Sequence, residues 1–472
     1  SFFLCGLCGN AEAKKKKEVK KAIKREVQTP YDKLFKGKKA FTVNGLMKMH
    51  LMAGKVYAEF PIELLNRDLA LTSSIEDISD NGEGVVGQFA GRVNQFRFTL
   101  QDSMLQARLV RRYGVKNTGM GKNADQIIER SNTPGIFQSY KILAYTPDKK
   151  AVVVDMTELF LESSRLTNPF PSYAGNSLYG FVQRIHKFQS QRSELLGICG
   201  NDNSMSVRCN LGFNVDRLVL GSFMQAKDVP VSVTVNKILM LLPEDPMRPR
   251  LADSRIGVNA IIQTELPDVC QGIKTYYITK RWRIEPVDEI RYKQGEMVDV
   301  KKPIVFYIDT LMPDSWIKYV KAGAEAWNAA FEKIGLRNVV RTELFPKDSS
   351  FDAGDIHNSV IRYAPSWMYY PQYSMHTDPR TGEILNASVY LPANVASYFY
   401  TSRTEETMAV DPSVRKARLS EEQFGEMFKA KMMQAIGRCL GLTDNYAASS
   451  VYPVDSLRSA SFTRKYGVVA SV

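Results

Sequence analysis

The chain has 472 residues, of which 44% are hydrophobic and 24% charged, and a net charge of +13. At roughly 100 to 200 residues per domain this length calls for two to four domains, and the composition excludes a disordered or fibrous chain. The charge is local: residues 14–40 carry 12 Lys and Arg against 3 Asp and Glu, while residues 41–472 sum to only +5. With no RRM, zinc-finger or helix-turn-helix signature, no nucleic-acid partner is expected. No apolar run approaches the ~18 residues that cross a bilayer, so the chain is not expected to be transmembrane.

Residues 1–13 read as the remnant of a signal peptide, an apolar stretch followed by Ala11-Glu12-Ala13. The expected location is therefore periplasmic or extracellular. A lipid anchor is the weaker reading, because the residues before Cys5 and Cys8 fit a lipobox poorly. Residues 14–40 read as a basic linker. Of the remaining cysteines, Cys199 and Cys209 are spaced to close a small disulfide loop, or all four are ordinary buried thiols.

From residue 41 the pattern is β-rich. Alternating runs at 55–60, 94–100, 104–110 and 136–145, with turn signals at Asp80-Asn81-Gly82 and Thr146-Pro147-Asp148, predict antiparallel sheet. Residues 41–82 read as a small N-terminal β domain and 83–298 as a β-rich middle domain. Near Lys302 the pattern changes. The continuous apolar run Pro303 to Ile308 predicts a strand buried on both faces. Asp314 is the expected N-cap of a helix carrying Ile317, Val320, Ala324, Trp327, Phe331 and Ile334, with Gly335 as its stop. Strand, helix, strand predicts an α/β layer over 299–472, so the fold class is α+β, multidomain, ending in a domain with a mixed sheet.

Residues Glu383 to Leu391 follow the turn Asp378-Pro379-Arg380-Thr381-Gly382. Their alternation predicts a strand at a sheet edge, where an extended peptide pairs with free backbone groups; Glu383, Ile384, Leu385, Asn386, Ala387 and Ser388 are its candidate binding residues. Ser420-Glu421-Glu422-Gln423 fits a capping box. The helix it starts buries Phe424, Met427, Phe428, Met432, Ile436 and Leu440, and Gly441 stands where a left-handed stop belongs.

Nearly the whole chain resembles a family of exported bacterial zinc-dependent metalloproteases of metzincin type, with two small domains ahead of the catalytic one. The resemblance is carried by Thr29-Pro30-Tyr31, Ile78-Ser79-Asp80-Asn81-Gly82, Met247-Arg248-Pro249-Arg250, Arg281-Trp282-Arg283, Pro303 to Ile308 and Asp378 to Ile384. Its most specific block is Ala447-Ala448-Ser449-Ser450 through Tyr452-Pro453-Val454-Asp455-Ser456 to Phe462-Thr463. The family's zinc motif is His-Glu-x-x-His-x-x-Gly-x-x-His, in which three histidines hold the metal and the glutamate is the general base. Aligned on Gly441, the ligand positions hold Gln434, Arg438 and Asp444, and the general-base position holds Ala435. The family's Met-turn is expected beyond Ala470-Ser471-Val472.

The resemblance therefore implies zinc for the family, while the residues predict a degenerate site with no cofactor: a pseudoprotease retained to bind a peptide or protein partner in the cell envelope. Competing readings are an active zinc metalloendopeptidase and a binding module acting through the middle domain. Arg438 and Asp444 are expected either to form a salt bridge that ties the helix to the turn after Gly441, or both to face solvent. No oligomeric state is legible.

Overall fold

In the computed structural model the described residues are 28–472, apart from 90–92, 111–114, 120–121, 164–165, 167, 171–175, 178–179, 220–222, 269–270, 349–350, 367 and 370. The alternating segments of the first half pair into one antiparallel sheet of twelve strands. Its order is Phe41–Val43, Lys48–Met52, Lys55–Pro61, Ala151–Asp155, Gly135–Tyr145, Met104–Leu109, Asn94–Gln101, β1 (Leu69–Ile78), then three long strands and Asn176–Ser177. In chain order the long strands are β2 (Gly180–Asn201), β3 (Ser204–Val219) and β4 (Phe223–Leu241), with β4 beside β1. The sheet curls until the β2–β3 turn meets residue 46, where the Leu46 amide donates to the Asn201 carbonyl at 2.7 Å. Val56, Phe60, Phe98, Val154, Met205 and Val207 pack inside that curl.

Two expectations change here. The expected domains 41–82 and 83–298 share one sheet, in which β1, from the first, is hydrogen-bonded on both sides by strands of the second. Residues 28–40 are not wholly a linker: Pro30–Phe35 is a short helix with a capping box from Thr29 and Asp32. Tyr31 of that helix donates to Glu59 at 2.6 Å, and Phe35 packs on His50. The leader and signal stretch, 1–27, lies outside the described residues.

The proposed cysteine loop is absent. In the β2–β3 register Cys199 faces Ser206 and Cys209 faces Leu195, so the hairpin holds the two thiols apart and both are free. Cys209 donates to the Phe160 carbonyl at 3.2 Å.

Residues 251–284 connect the halves through β5 (Ala260–Leu266) and β6 (Lys274–Thr279), an antiparallel pair joined by Val115–Asn117. The C-terminal domain is the expected mixed sheet. It contains β7 (Ile304–Ile308), β8 (Val340–Leu344), β9 (Ser359–Ala364), β10 (Gln372–Thr377) and β11 (Ile384–Pro392), in the order β8-β7-β9-β11-β10. All neighbours are parallel except β10, which runs antiparallel to β11.

Helices α1 (Asp314–Glu325) and α2 (Glu421–Cys439) cover one face of this sheet. Asp314 is the first residue of α1 rather than its cap: the cap position is Pro313, whose ring has no acceptor to offer. Ser420 and Gln423 do form the reciprocal capping box of α2. The two helices approach through glycines. A Cβ on Gly323 would lie 2.6 Å from the Met432 Cβ, and one on Gly425 would enter the Tyr319 ring. Phe428, Met432 and Ile436 are wholly buried in the resulting core, each contributing roughly 1.5 to 3 kcal/mol.

Candidate functional site

The site predicted from the alignment on Gly441 lies at the C-terminal end of α2. Three of its four key residues lie on that helix, on two of its faces, and Asp444 lies beyond its end. Ala435 is 6% exposed and its methyl belongs to the C-terminal core, so the general-base position points into packing. Gln434 and Arg438, one turn apart, lie on the less buried face. Beyond the helix, Gly441 has φ +98, the left-handed turn expected of it.

That turn returns the chain so that Arg438 reaches forward across it. Its Nη2 donates to Asp444 Oδ1 at 2.5 Å and its Nη1 to Thr443 Oγ1 at 3.1 Å. The salt-bridge tether is therefore present. Gln434 Oε1 accepts a hydrogen bond from Lys431 Nζ at 3.3 Å. Of the four motif positions only Gln434 and Asp444 offer oxygen donors, and each is turned to a cation of the chain itself. A guanidinium, which does not lose its proton in proteins, ligates no metal. Among the described residues no three His, Cys, Asp or Glu side chains gather as a metal site. The four histidines are each engaged elsewhere: His50 with Glu59, His186 with Glu83, His357 with Asp355 and His376 with Thr72.

The turn is walled on its far side by residues that sequence reasoning left without a role. The Gly257 carbonyl accepts from the Thr443 amide at 2.9 Å, and the Asn259 amide donates to the Gly441 carbonyl at 2.7 Å. Residues 257–259 thus pair with 441–443 like a short ladder. The Lys280 carbonyl sits against Gly441, and Trp282 donates its indole N–H to the Cys439 carbonyl at 2.9 Å, satisfying one of the orphan acceptors at the end of α2. Arg281-Trp282-Arg283 is conspicuous in the sequence, but nothing local predicts that its middle residue caps a helix 157 positions away.

The strand assigned to peptide binding is not an edge. β11 lies between β9 and β10: its residues from Ile384 to Tyr390 pair with β10 and Val389 to Pro392 with β9, while the Ala387 amide donates to Ser359 Oγ at 3.2 Å. A bulge at Leu385 shifts the register, as His376 pairs with Asn386 but Thr377 with Ile384. Ile384 consequently shares the core with Ala387, Val389 and Leu391, while Leu385 packs toward Ala70, Phe89 and Ile238 of the N-terminal sheet. Asn386 and Ser388 are fully buried, with Asn386 Nδ2 donating to the Ile356 and Asn358 carbonyls at 2.9 and 2.8 Å. Glu383 is held by both arms of Arg283, at 3.0 and 2.9 Å. Together with Ile384 and Leu385 it borders a cavity of about 670 Å³ between the two halves of the molecule. The edge of this sheet on that side is β10.

β10 and β11 also carry the contacts between the halves. His376 is wholly buried against Phe89, their ring centroids 4.6 Å apart, with its Nε2 3.3 Å from Thr72 Oγ1; burial lowers its pKa to about 4. Tyr390 donates to the Gly87 carbonyl at 3.0 Å, and burial pushes its hydroxyl up to about 12. Burial likewise raises the pKa of the Cys439 thiol, which leaves it an inert packing group.

Residues 416–472 match a protein family described as Met-zincin, and this supports a metzincin-like, metalloprotease-type family for the chain. Residues 87–287 match a family described as a domain of unknown function (DUF5117). No curated protein and no solved structure matches the chain. Among the described residues no helix is long and apolar enough to cross a membrane.

Proposed function

We propose that this chain is a metzincin-like protein that has lost zinc and peptidase chemistry and acts by binding a peptide or protein in the cell envelope. The observation that carries the reading is the Arg438–Asp444 pair. The positions of the second and third family histidines are occupied by a guanidinium and a carboxylate 2.5 Å apart, so the link that a metal would make between helix and turn is made by an ion pair. A catalytic zinc takes three protein ligands and keeps an open position for water. Gln434, Arg438 and Asp444 do not fit that requirement, and Ala435 has no group to take a proton.

The binding role draws on β10, which has β11 on one side and, among the described residues, no strand on the other. An extended peptide adds to such an edge through main-chain hydrogen bonds. Export is supported by the apolar stretch ahead of Ala11-Glu12-Ala13. The test is calorimetric titration of the purified full chain with zinc, alongside a peptidase assay. No stoichiometric zinc and no metal-dependent cleavage are expected. Stoichiometric zinc with cleavage would establish the active endopeptidase instead. The fourfold variant Gln434→His, Ala435→Glu, Arg438→His, Asp444→His provides the positive control, because it returns ligands to the same backbone.

A further inference from the structure

Arg248, Pro249, Arg250, Leu251 and Arg281 line a second cavity, of about 630 Å³, behind the segment that walls Gly441. Its backbone is held on several sides. The Thr279 amide donates to the Arg250 carbonyl at 2.8 Å, the Arg281 amide to the Gly382 carbonyl at 3.0 Å, and the Ile384 amide to the Arg281 carbonyl at 2.8 Å. Arg281 is oriented by its Nη2, which donates to the Arg248 carbonyl at 2.8 Å, while its Nε is buried with no partner among the described residues.

No carboxylate lines this cavity. The nearby acid, Glu383, is committed to Arg283 through both oxygens. The side chains of Arg248 and Arg250 make no ion pair among the described residues. Two guanidinium groups, those of Arg250 and Arg281, therefore act on one another beside this space with no carboxylate lining it. The cost is visible at Arg281: burial lowers its pKa, the charges of Arg250 and Arg283 lower it further, and Glu383 opposes them. Guanidinium groups present fixed forks of donors that match the oxygens of carboxylates and phosphates.

We infer that the Arg248–Arg250–Arg281 cavity is an oxyanion-binding site, taking a carboxylate or phosphate group between Arg250 and Arg281. The site is independent of the zinc reading, since none of its residues belongs to the motif around Gly441.

The experiment uses the full chain and two probes, inorganic phosphate and N-acetylglycine, titrated by calorimetry at constant ionic strength in chloride. Binding of phosphate alone identifies a phosphate-bearing ligand. Binding of N-acetylglycine, with its amide silent, identifies a carboxylate. In either case Arg250→Gln and Arg281→Gln are expected to weaken binding about tenfold or more, the loss of one charged, bidentate partner. Arg255→Gln, at an exposed arginine paired with Asp253, is expected to leave it unchanged. Arg250 is exposed and holds no structural contact through its side chain, so its variant reports on binding rather than folding. Absence of binding by both probes, or equal binding by wild type and the Arg250→Gln variant, would overturn the site.

Discussion

A Cβ at Gly441 would stand 2.3 Å from the Lys280 carbonyl oxygen. The turn that ends α2 is thus closed against the connecting segment, and glycine is required both by that approach and by φ +98. Gly441→Ala is expected to lower stability by more than about 2 kcal/mol, the left-handed strain adding to a backbone clash with nowhere to go. Urea unfolding of the variant checks this. A change under about 0.5 kcal/mol would mean that Lys280 moves aside freely.

The Arg438–Asp444 tether is a modest contributor. Asp444 is half exposed, so solvent screens the pair. A double-mutant cycle with Arg438→Ala and Asp444→Ala is expected to give a coupling energy of roughly 0.5 to 1 kcal/mol. The pair fixes the loop after Gly441 more than it stabilises the fold, so proteolytic nicking near residues 443–446 is expected to rise in either single variant.

Glu383 is a structural partner of Arg283. Glu383→Gln removes the buried partner of a largely buried bidentate pair and leaves the Arg283 guanidinium only the exposed Asp245 as a counter-charge, which is expected to cost roughly 3 kcal/mol. Reversible denaturation measures it. Loss of peptide binding at unchanged stability would return this residue to the binding role first assigned to it.

His376 sets an acid-sensitivity for the contact between the halves. Its folded pKa of about 4 lies below the ordinary 6.5, so between those values the unfolded chain takes up a proton that the folded protein refuses. Its contribution is full above about pH 6.5 and is lost as pH falls toward 4, on the order of 3 kcal/mol in all. His376→Phe, which keeps an aromatic ring beside Phe89, is expected to flatten that part of the stability profile. An unchanged slope between pH 6.5 and 4 would contradict it.

Local chemistry was legible in the sequence wherever one residue type answers one backbone need. The capping box of Ser420 and Gln423 and the left-handed Gly441 are of this kind. The strand Ile304–Ile308, expected to be buried on both faces, instead buries Ile304, Phe306 and Ile308 on one face and leaves Val305 and Tyr307 partly exposed on the other. What could not be read depends on partners distant in the chain. β11 alternates like an edge strand, but its polar side chains are buried by loop carbonyls near residue 356 and by Gly87, and a single bulged residue exchanges the faces of Ile384 and Leu385. The long strands β2 and β3 escaped notice because their distal halves mix Arg184, His186, Lys187 and Arg217 among the apolar residues. Those polar groups are answered by Glu83 and Asp80 from the turn after β1, and by Asp216 and Asp228.

Zinc titration of the purified full chain tests the central claim most directly. With Gln434, Arg438 and Asp444 at the ligand positions, wild type is expected to bind no stoichiometric zinc, while the variant restoring the three histidines and the glutamate binds it. One equivalent of zinc bound by wild type, removable by chelation together with peptidase activity, would contradict the account.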